Sequence, residues 1–337
     1  MSGKTVWISF WVFCLSLCAL VVWAAGTWTA GDTVPGNVLS PAYGSRGDVK
    51  AAGSFAAGEW TVLMSRRLTT ILPTQDVQFD LSDPGNLYPF SVAVFDNSGG
   101  NPTTMFPQDT SSYSLGNAGS TADLKAVLVA SPPQSVADFP GSPLVTSPLV
   151  PLDVAQASLY AAYDAKNIYI LAKWTDMGGE ASLAKSQWTF DGTDWSQSGN
   201  EDRIAILFNI NASDWAGCSS FCHVGEEPGE GGRMRTNFPG QTVDMWHWKS
   251  ARSNPMRVAD DKHFIYDAPD GGMKTRKGDD GNAVDSSNKE LLAPKYMAEN
   301  DPGANATFLI NMPPGAARAV PFELDTDDEG DDEGGPV

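Results

Sequence analysis

Cys218 and Cys222, followed at once by His223, are the residues of this sequence whose types and spacing could carry redox or metal chemistry. They lie in the stretch GCSSFCHVGEEPGEGGRMRTNFPGQTVDMWHWK, Gly217 to Lys249, which also holds Met234, Met245 and His247. Two cysteines directly ahead of a histidine are the attachment grammar of a c-type haem: the thiols add to the vinyl groups and the imidazole reaches the iron. The usual spacing leaves two residues between the cysteines; here Ser219, Ser220 and Phe221 make it three. A local Cys218–Cys222 disulfide beside a surface histidine is the competing use of the same residues. Zinc fits less well, because the side chains of adjacent Cys222 and His223 diverge on an extended backbone and no second Cys/His pair at ligand spacing completes a tetrahedron.

The elements that must position this stretch read as strands. From Trp28 to Asn97 the runs EWTVLMSRRL, DVQFDL and LYPFSVAVFDN alternate in period two between Gly and Pro punctuation, with the β-branched and aromatic content of strands. Past Lys125, ASLYAAYD and NIYILAKWTD form a hairpin around Asp164–Asn167, and DRIAILFNI leads into the Cys/His stretch. The pattern predicts an all-β fold, an antiparallel β-sandwich with long irregular loops. Within VDMWHWK, Trp246 and Trp248 alternate with His247 and Lys249. With the tryptophans turned to the core, His247 and Lys249 point toward solvent or haem propionates, and Lys249 is assigned to a propionate. His263 is given no role.

Composition narrows the partners. Lys+Arg 22 against Asp+Glu 41 gives a formal charge of -19, which repels phosphate backbones and excludes nucleic acid. Lys4 and the apolar run to Ala25 read as a secretory signal or an uncleaved membrane anchor, so the rest is expected to be exported, to the periplasm or the cell surface. Cys14 and Cys18 fall inside that run, which leaves only Cys218 and Cys222 in the folded part. Asn211 and Asn305 are glycosylation acceptors in a host with that machinery. The carboxylate-rich end, ELDTDDEGDDEGGPV, reads as a solvated tail and lacks the spaced ligands of a calcium loop. The expected organisation is 1–26 signal or anchor, 27–106 one half of the sandwich, 107–124 linker, 125–322 the other half with the haem motif, and 323–337 acidic tail.

The segments AYDAKNIYILAKWTD, EDRIAILFNI and VDMWHWKSARSNPMRVADD, together with AVFDN, resemble the haem-binding domain of the ethylbenzene dehydrogenase γ-subunit family. The resemblance covers most of the chain past the signal. It implies a β-sandwich and a haem electron carrier working with a molybdenum enzyme. In the family the part resembling Trp28–Asn97 ends the domain, whereas here it comes first, so the order is circularly permuted. The family's two axial positions, a methionine and a lysine, fall on Met234 and on Met105 of FDNSGGNPTTMFP; in the second place methionine stands where the family has lysine. The expected ligand pair is His223 with Met105, with Met234 in reserve.

No nucleophile elbow, phosphate-cradling glycine loop or pair of carboxylates in contrasting settings appears. The sequence therefore points to an electron-transfer protein rather than an enzyme: one covalent haem c, exchanging electrons with a molybdenum oxidoreductase or another cytochrome. Its two halves close either within one chain, which is preferred, or between copies by strand exchange. The rival class is a carbohydrate- or small-ligand-binding sandwich with a Cys218–Cys222 disulfide and no haem.

Overall fold

A computed structural model describes residues 29–97, 104–106, 112–146, 156–217, 235–266, 276–289 and 291–295. The expected signal or anchor, the acidic tail, and Cys218, Cys222, His223 and Met234 lie outside these residues. Among the described residues no helix is long and apolar enough to cross a membrane.

The chain is all-β. Its first part contains β1 (Thr33–Val34), β2 (Asn37–Leu39), β3 (Lys50–Ala56), β4 (Glu59–Arg67), β5 (Tyr88–Phe95) and β6 (Thr104–Phe106). Then come β7 (Tyr113–Asn117), β8 (Leu124–Leu128), β9 (Leu144–Val145), β10 (Ala157–Tyr163) and β11 (Asn167–Thr175). The last group is β12 (Gln187–Phe190), β13 (Trp195–Ser198), β14 (Arg203–Asn209), β15 (Thr242–Lys249), β16 (Asp260–Ile265), β17 (Arg276–Gly278) and β18 (Asp285–Ser287). One large sheet runs β17-β16-β15-β14-β5-β7-β8-β10-β11-β4-β3, with β6 on β5 and β9 on β10; β1-β12-β13 and β2-β18 form two small sheets.

Three features differ from the sequence expectation. DVQFDL, read as a strand, forms none, because its Val77 amide donates to the Asp244 carboxylate rather than to a ladder partner. The expected linker, 107–124, contains β7 and the first residue of β8, and both strands lie in the middle of the large sheet. The polar character of this segment reflects turn residues such as Asn117, Gly119 and Ser120, which bond one another at the corner between the two strands. In addition, β8 runs parallel to both β7 and β10, so the sheet is antiparallel except at these two ladders. Both expected halves share this sheet, since β4 pairs with β11 and β5 with β14 within the same chain.

The sheet curls until the inner faces of its two limbs meet. On β4 the inward residues are Trp60, Val62 and Met64; on β11, Ile168, Ile170, Ala172 and Trp174; on β14 and β15, Ile204, Ile206, Phe208, Trp246 and Trp248. All belong to one buried cluster, as period-two alternation requires of a half-buried strand. Trp248 bridges the limbs, with its ring centroid 5.0 Å from that of Trp60 and 6.0 Å from that of Trp174. Close edge-on packing of this kind adds to the area the rings bury.

The β3 edge is closed rather than left open to other chains. Asn254, in the turn after β15, accepts from the Gly53 amide (2.7 Å) and donates to its carbonyl (3.1 Å), while its Oδ1 also accepts from Trp248 Nε1. The same turn donates from Ala259 to the Val49 carbonyl and accepts from the Ala51 amide at the Arg257 carbonyl. Gly53 must be glycine here: a Cβ would stand 2.3 Å from Trp248 Cζ2. Gly53→Ala should therefore displace the indole and destabilise the protein by about 1–3 kcal/mol, read as a lower urea midpoint with an unchanged m-value; a midpoint equal to the parent's would refute this packing.

Candidate functional site

The outer face of β5, β14 and β15 holds a second buried cluster, built on Ala93, Ala205, Leu207, Val243, Met245 and Phe264, with Trp215 packed against it. Strand register aligns one row of residues across this face. Met105 in β6 stands opposite Ala93, Ala93 opposite Ala205, Ala205 opposite His247, and His247 opposite Asp260. Two alanines thus separate the register positions of Met105 and His247 by three ladder steps, about 14 Å at the usual strand spacing.

His247 on this face is buried without a hydrogen-bond partner among the described residues, as is the Ser91 hydroxyl. The histidine is 3% exposed, and neither ring nitrogen has such a partner. Burial, reinforced by Lys249, Lys262, Arg203 and Arg276, holds its pKa well below the ordinary imidazole value, so the ring is neutral, with one donor and one acceptor free. Phe95 lies beside it at 6.1 Å between centroids, under the Arg203 guanidinium, 4.3 Å above the phenyl ring.

Lys249 occupies the same face two residues on, and of the two orientations the sequence left open the solvent-facing one is excluded: neither Lys249 nor His247 reaches solvent. The cause is that β15 is an interior strand covered on both sides. Lys249 Nζ is ion-paired with Asp260 and lies 3.7 Å from Asp285 Oδ1. Asp260 also binds Arg46 (2.7 Å) and Lys262 (2.5 Å), and Arg252 joins Glu201 to Asp285. Cations therefore outnumber carboxylates locally on a chain whose overall charge is strongly negative, which suits this face to an anionic ligand. Burial alone would raise the Asp260 carboxyl, but Lys249, Lys262 and Arg46 outweigh it and hold it far below the carboxylate range.

The described residues on either side of 218–234 meet at this face. Trp215 packs on the outer cluster just before it. Asp214 accepts from Asn237 Nδ2 (2.8 Å) and Gln241 Nε2 (2.5 Å), on the far side of residues 218–234. The structure thus brings the residues flanking 218–234, the register position of Met105, and Lys249 to one face. It adds His247, which sequence reasoning had sent to solvent or propionates. The signal for His247 was its alternation with two tryptophans; its burial and lack of partners were not visible in that pattern.

A depressed carboxylate contributes stability above its unfolded pKa, and this contribution is lost as pH falls through the folded one. The Asp260 ion pairs should hold from neutrality down through the ordinary carboxylate range and fail in acid below it. Asp260→Asn should remove that acid-limb dependence and destabilise the protein at pH 7 by about 3–5 kcal/mol, since it strands Lys249 and Lys262; thermal melts across pH check both points.

No curated protein and no solved structure matches the chain. The family model described as ethylbenzene dehydrogenase matches residues 19–103 and 139–331, most of its length. On that match the chain, all-β throughout its described residues, belongs to the ethylbenzene dehydrogenase family.

Proposed function

We propose that this chain is an exported c-type cytochrome that carries single electrons to or from a redox enzyme of the molybdenum type, or along an assembly of haem proteins. The family points to a cytochrome-like electron-transfer subunit of a molybdoenzyme, and the proposal extends this to a covalent haem on this chain. The observation that carries it is His247, a buried neutral imidazole without a partner among the described residues, on an alanine-lined face where the residues flanking 218–234 meet.

The residues fit a haem. Ala93 and Ala205 are small side chains at the centre of the outer cluster, and the apolar side chains around them exclude water. Cys218 and Cys222 would hold the vinyl carbons as thioethers, His223 would ligate the iron, and Met105 would take the opposite side, with Met234 as the alternative. A thioether sulfur there favours the ferrous state and raises the potential. Arg203, Lys249 and Lys262 would supply the positive field in which propionates are stable, and the neutral His247 ring would offer one of them a hydrogen bond. When bound, the haem supplies a one-electron couple between ferric and ferrous iron. The chain itself performs no substrate turnover in this reading, and its partner is another redox protein. In this reading the two halves close within one chain, by pairing of β4 with β11 and of β5 with β14.

Substituting both Cys218 and Cys222 with alanine should abolish pigment that survives acid-acetone extraction, while an unmodified wild-type chain or a Cys218–Cys222 disulfide seen by mass spectrometry would sink the covalent haem. Met105→Ala should turn a low-spin iron high-spin or water-ligated; loss of the low-spin spectrum in Met234→Ala instead transfers the role to Met234. His247→Phe should keep the haem low-spin and shift its midpoint potential, and a potential equal to the parent's would separate His247 from the haem.

A further inference from the structure

At one end of the inner face, away from the alanine-lined surface, Asp48, Asp76, Asp244, Asp261 and Asp279 crowd around a single guanidinium. Arg66 Nη1 lies 2.8 Å from Asp244 Oδ2, 3.0 Å from Asp76 Oδ1 and 3.8 Å from Asp261 Oδ2, and Nη2 donates to the Val77 carbonyl. Register places Asp244 and Asp261 inward, beside Trp246 on the core side of the sheet, whereas Asp260 points outward to Lys249. Asp76 further accepts from Ser45 Oγ (3.1 Å) and Thr70 Oγ1 (2.7 Å). His263 Nδ1 is 2.6 Å from Asp279 Oδ1.

One arginine does not satisfy this group. Asp48 Oδ1, Asp244 Oδ1, Asp261 Oδ2 and Asp279 Oδ2 are buried with no hydrogen-bond partner among the described residues, and the side chains of Asp244 and Asp261 are wholly out of solvent. Asp261 Oδ2 is aimed into the cluster, at Arg66, but stands beyond hydrogen-bond reach of it. An orphaned carboxylate oxygen in an apolar interior is strongly unfavourable.

One oxygen from each of Asp48, Asp76 and Asp261 lies within 4.8 Å of the other two. That is the span two oxygens can have when both bind one ion at about 2.4 Å. The donors are all oxygen, with no thiolate, and the His263 imidazole is turned to Asp279. This set selects a hard cation over zinc or copper, and calcium over magnesium, which keeps its water and demands a stricter octahedron.

We propose that Asp48, Asp76 and Asp261 hold a structural calcium ion, with Asp244 and Asp279 supplying further charge. The ion would clasp the segment before β3, the loop after β4 and strand β16, and so fasten the two ends of the curled sheet to each other. Asp48, the partly exposed member, marks the side from which it enters.

The test uses the full pigmented protein, stripped with EDTA and returned to calcium or magnesium chloride. Calcium at a hundredfold excess over its dissociation constant should raise the melting temperature by about 5 °C, magnesium at the same concentration should not, and metal analysis of untreated protein should find one calcium per chain. Asp48→Asn and Asp261→Asn should each abolish the calcium-dependent rise; if Asp261→Asn does not fold, Asp48→Asn alone decides. Equal melting temperatures in calcium and EDTA would overturn the proposal. So would a full calcium response in Asp48→Asn, which would place the ion elsewhere, as on the acidic tail. The readout is heat stability and metal content, so a failure of the haem reading leaves it intact.

Discussion

The packing of Trp248 between Trp60 and Trp174 is the interaction on which the rest of the structure depends. These three rings come from strands on opposite limbs of one curled sheet, and their mutual burial is what turns a long ribbon of strands into a closed two-layer body. The closeness of Gly53 to Trp248 and the hold of Asn254 on the Gly53 backbone follow from it. An edge strand can approach the indole only where it has no side chain, and the turn after β15 can reach that edge only once the indole is seated. Asp202 adds a polar tether by accepting from Trp60 Nε1 at 3.0 Å.

With the inner face committed to tryptophan and aliphatic packing, chemistry is displaced to two places where the alternation of β15 and β16 puts polar groups under cover. On the outer face the odd-numbered residues of β15 bring His247 and Lys249 beneath an apolar surface. On the inner face the same two strands deliver Asp244 and Asp261 to Arg66. The two polar groups are opposite in sign and lie on opposite sides of the same pair of strands. Cations dominate where an anionic cofactor is proposed, and carboxylates dominate where a cation is. In a chain of such acidic overall composition, neither local balance follows from the total.

What the sequence by itself determined was the secondary structure and the chemistry available. Alternation in EWTVLMSRRL, NIYILAKWT and DRIAILFN is a local property, because side chains of successive strand residues point to opposite faces whatever the partner strand. These runs became β4, β11 and β14. The family resemblance carried by VDMWHWK and AVFDN, and the Cys/His spacing that raised the haem, were likewise open to reading along the chain. The inward turn of Trp246 and Trp248 was legible too, since two tryptophans at alternate positions have only one face to share.

Only the tertiary structure decided which strands are neighbours and which charges meet. The segment 107–124 is polar in composition yet supplies β7 and part of β8 at the centre of the sheet, and β8 runs parallel to both its neighbours; nothing local distinguishes such a strand from a linker. Arg66 meets Asp244 across 178 residues, and Gly53 meets Asn254 across 201. The partner of a charge so distant is fixed by curling of the sheet rather than by spacing. Burial of His247 and Lys249 is of the same kind. Alternation assigned them a face, but whether that face meets water depends on what the rest of the chain lays over it.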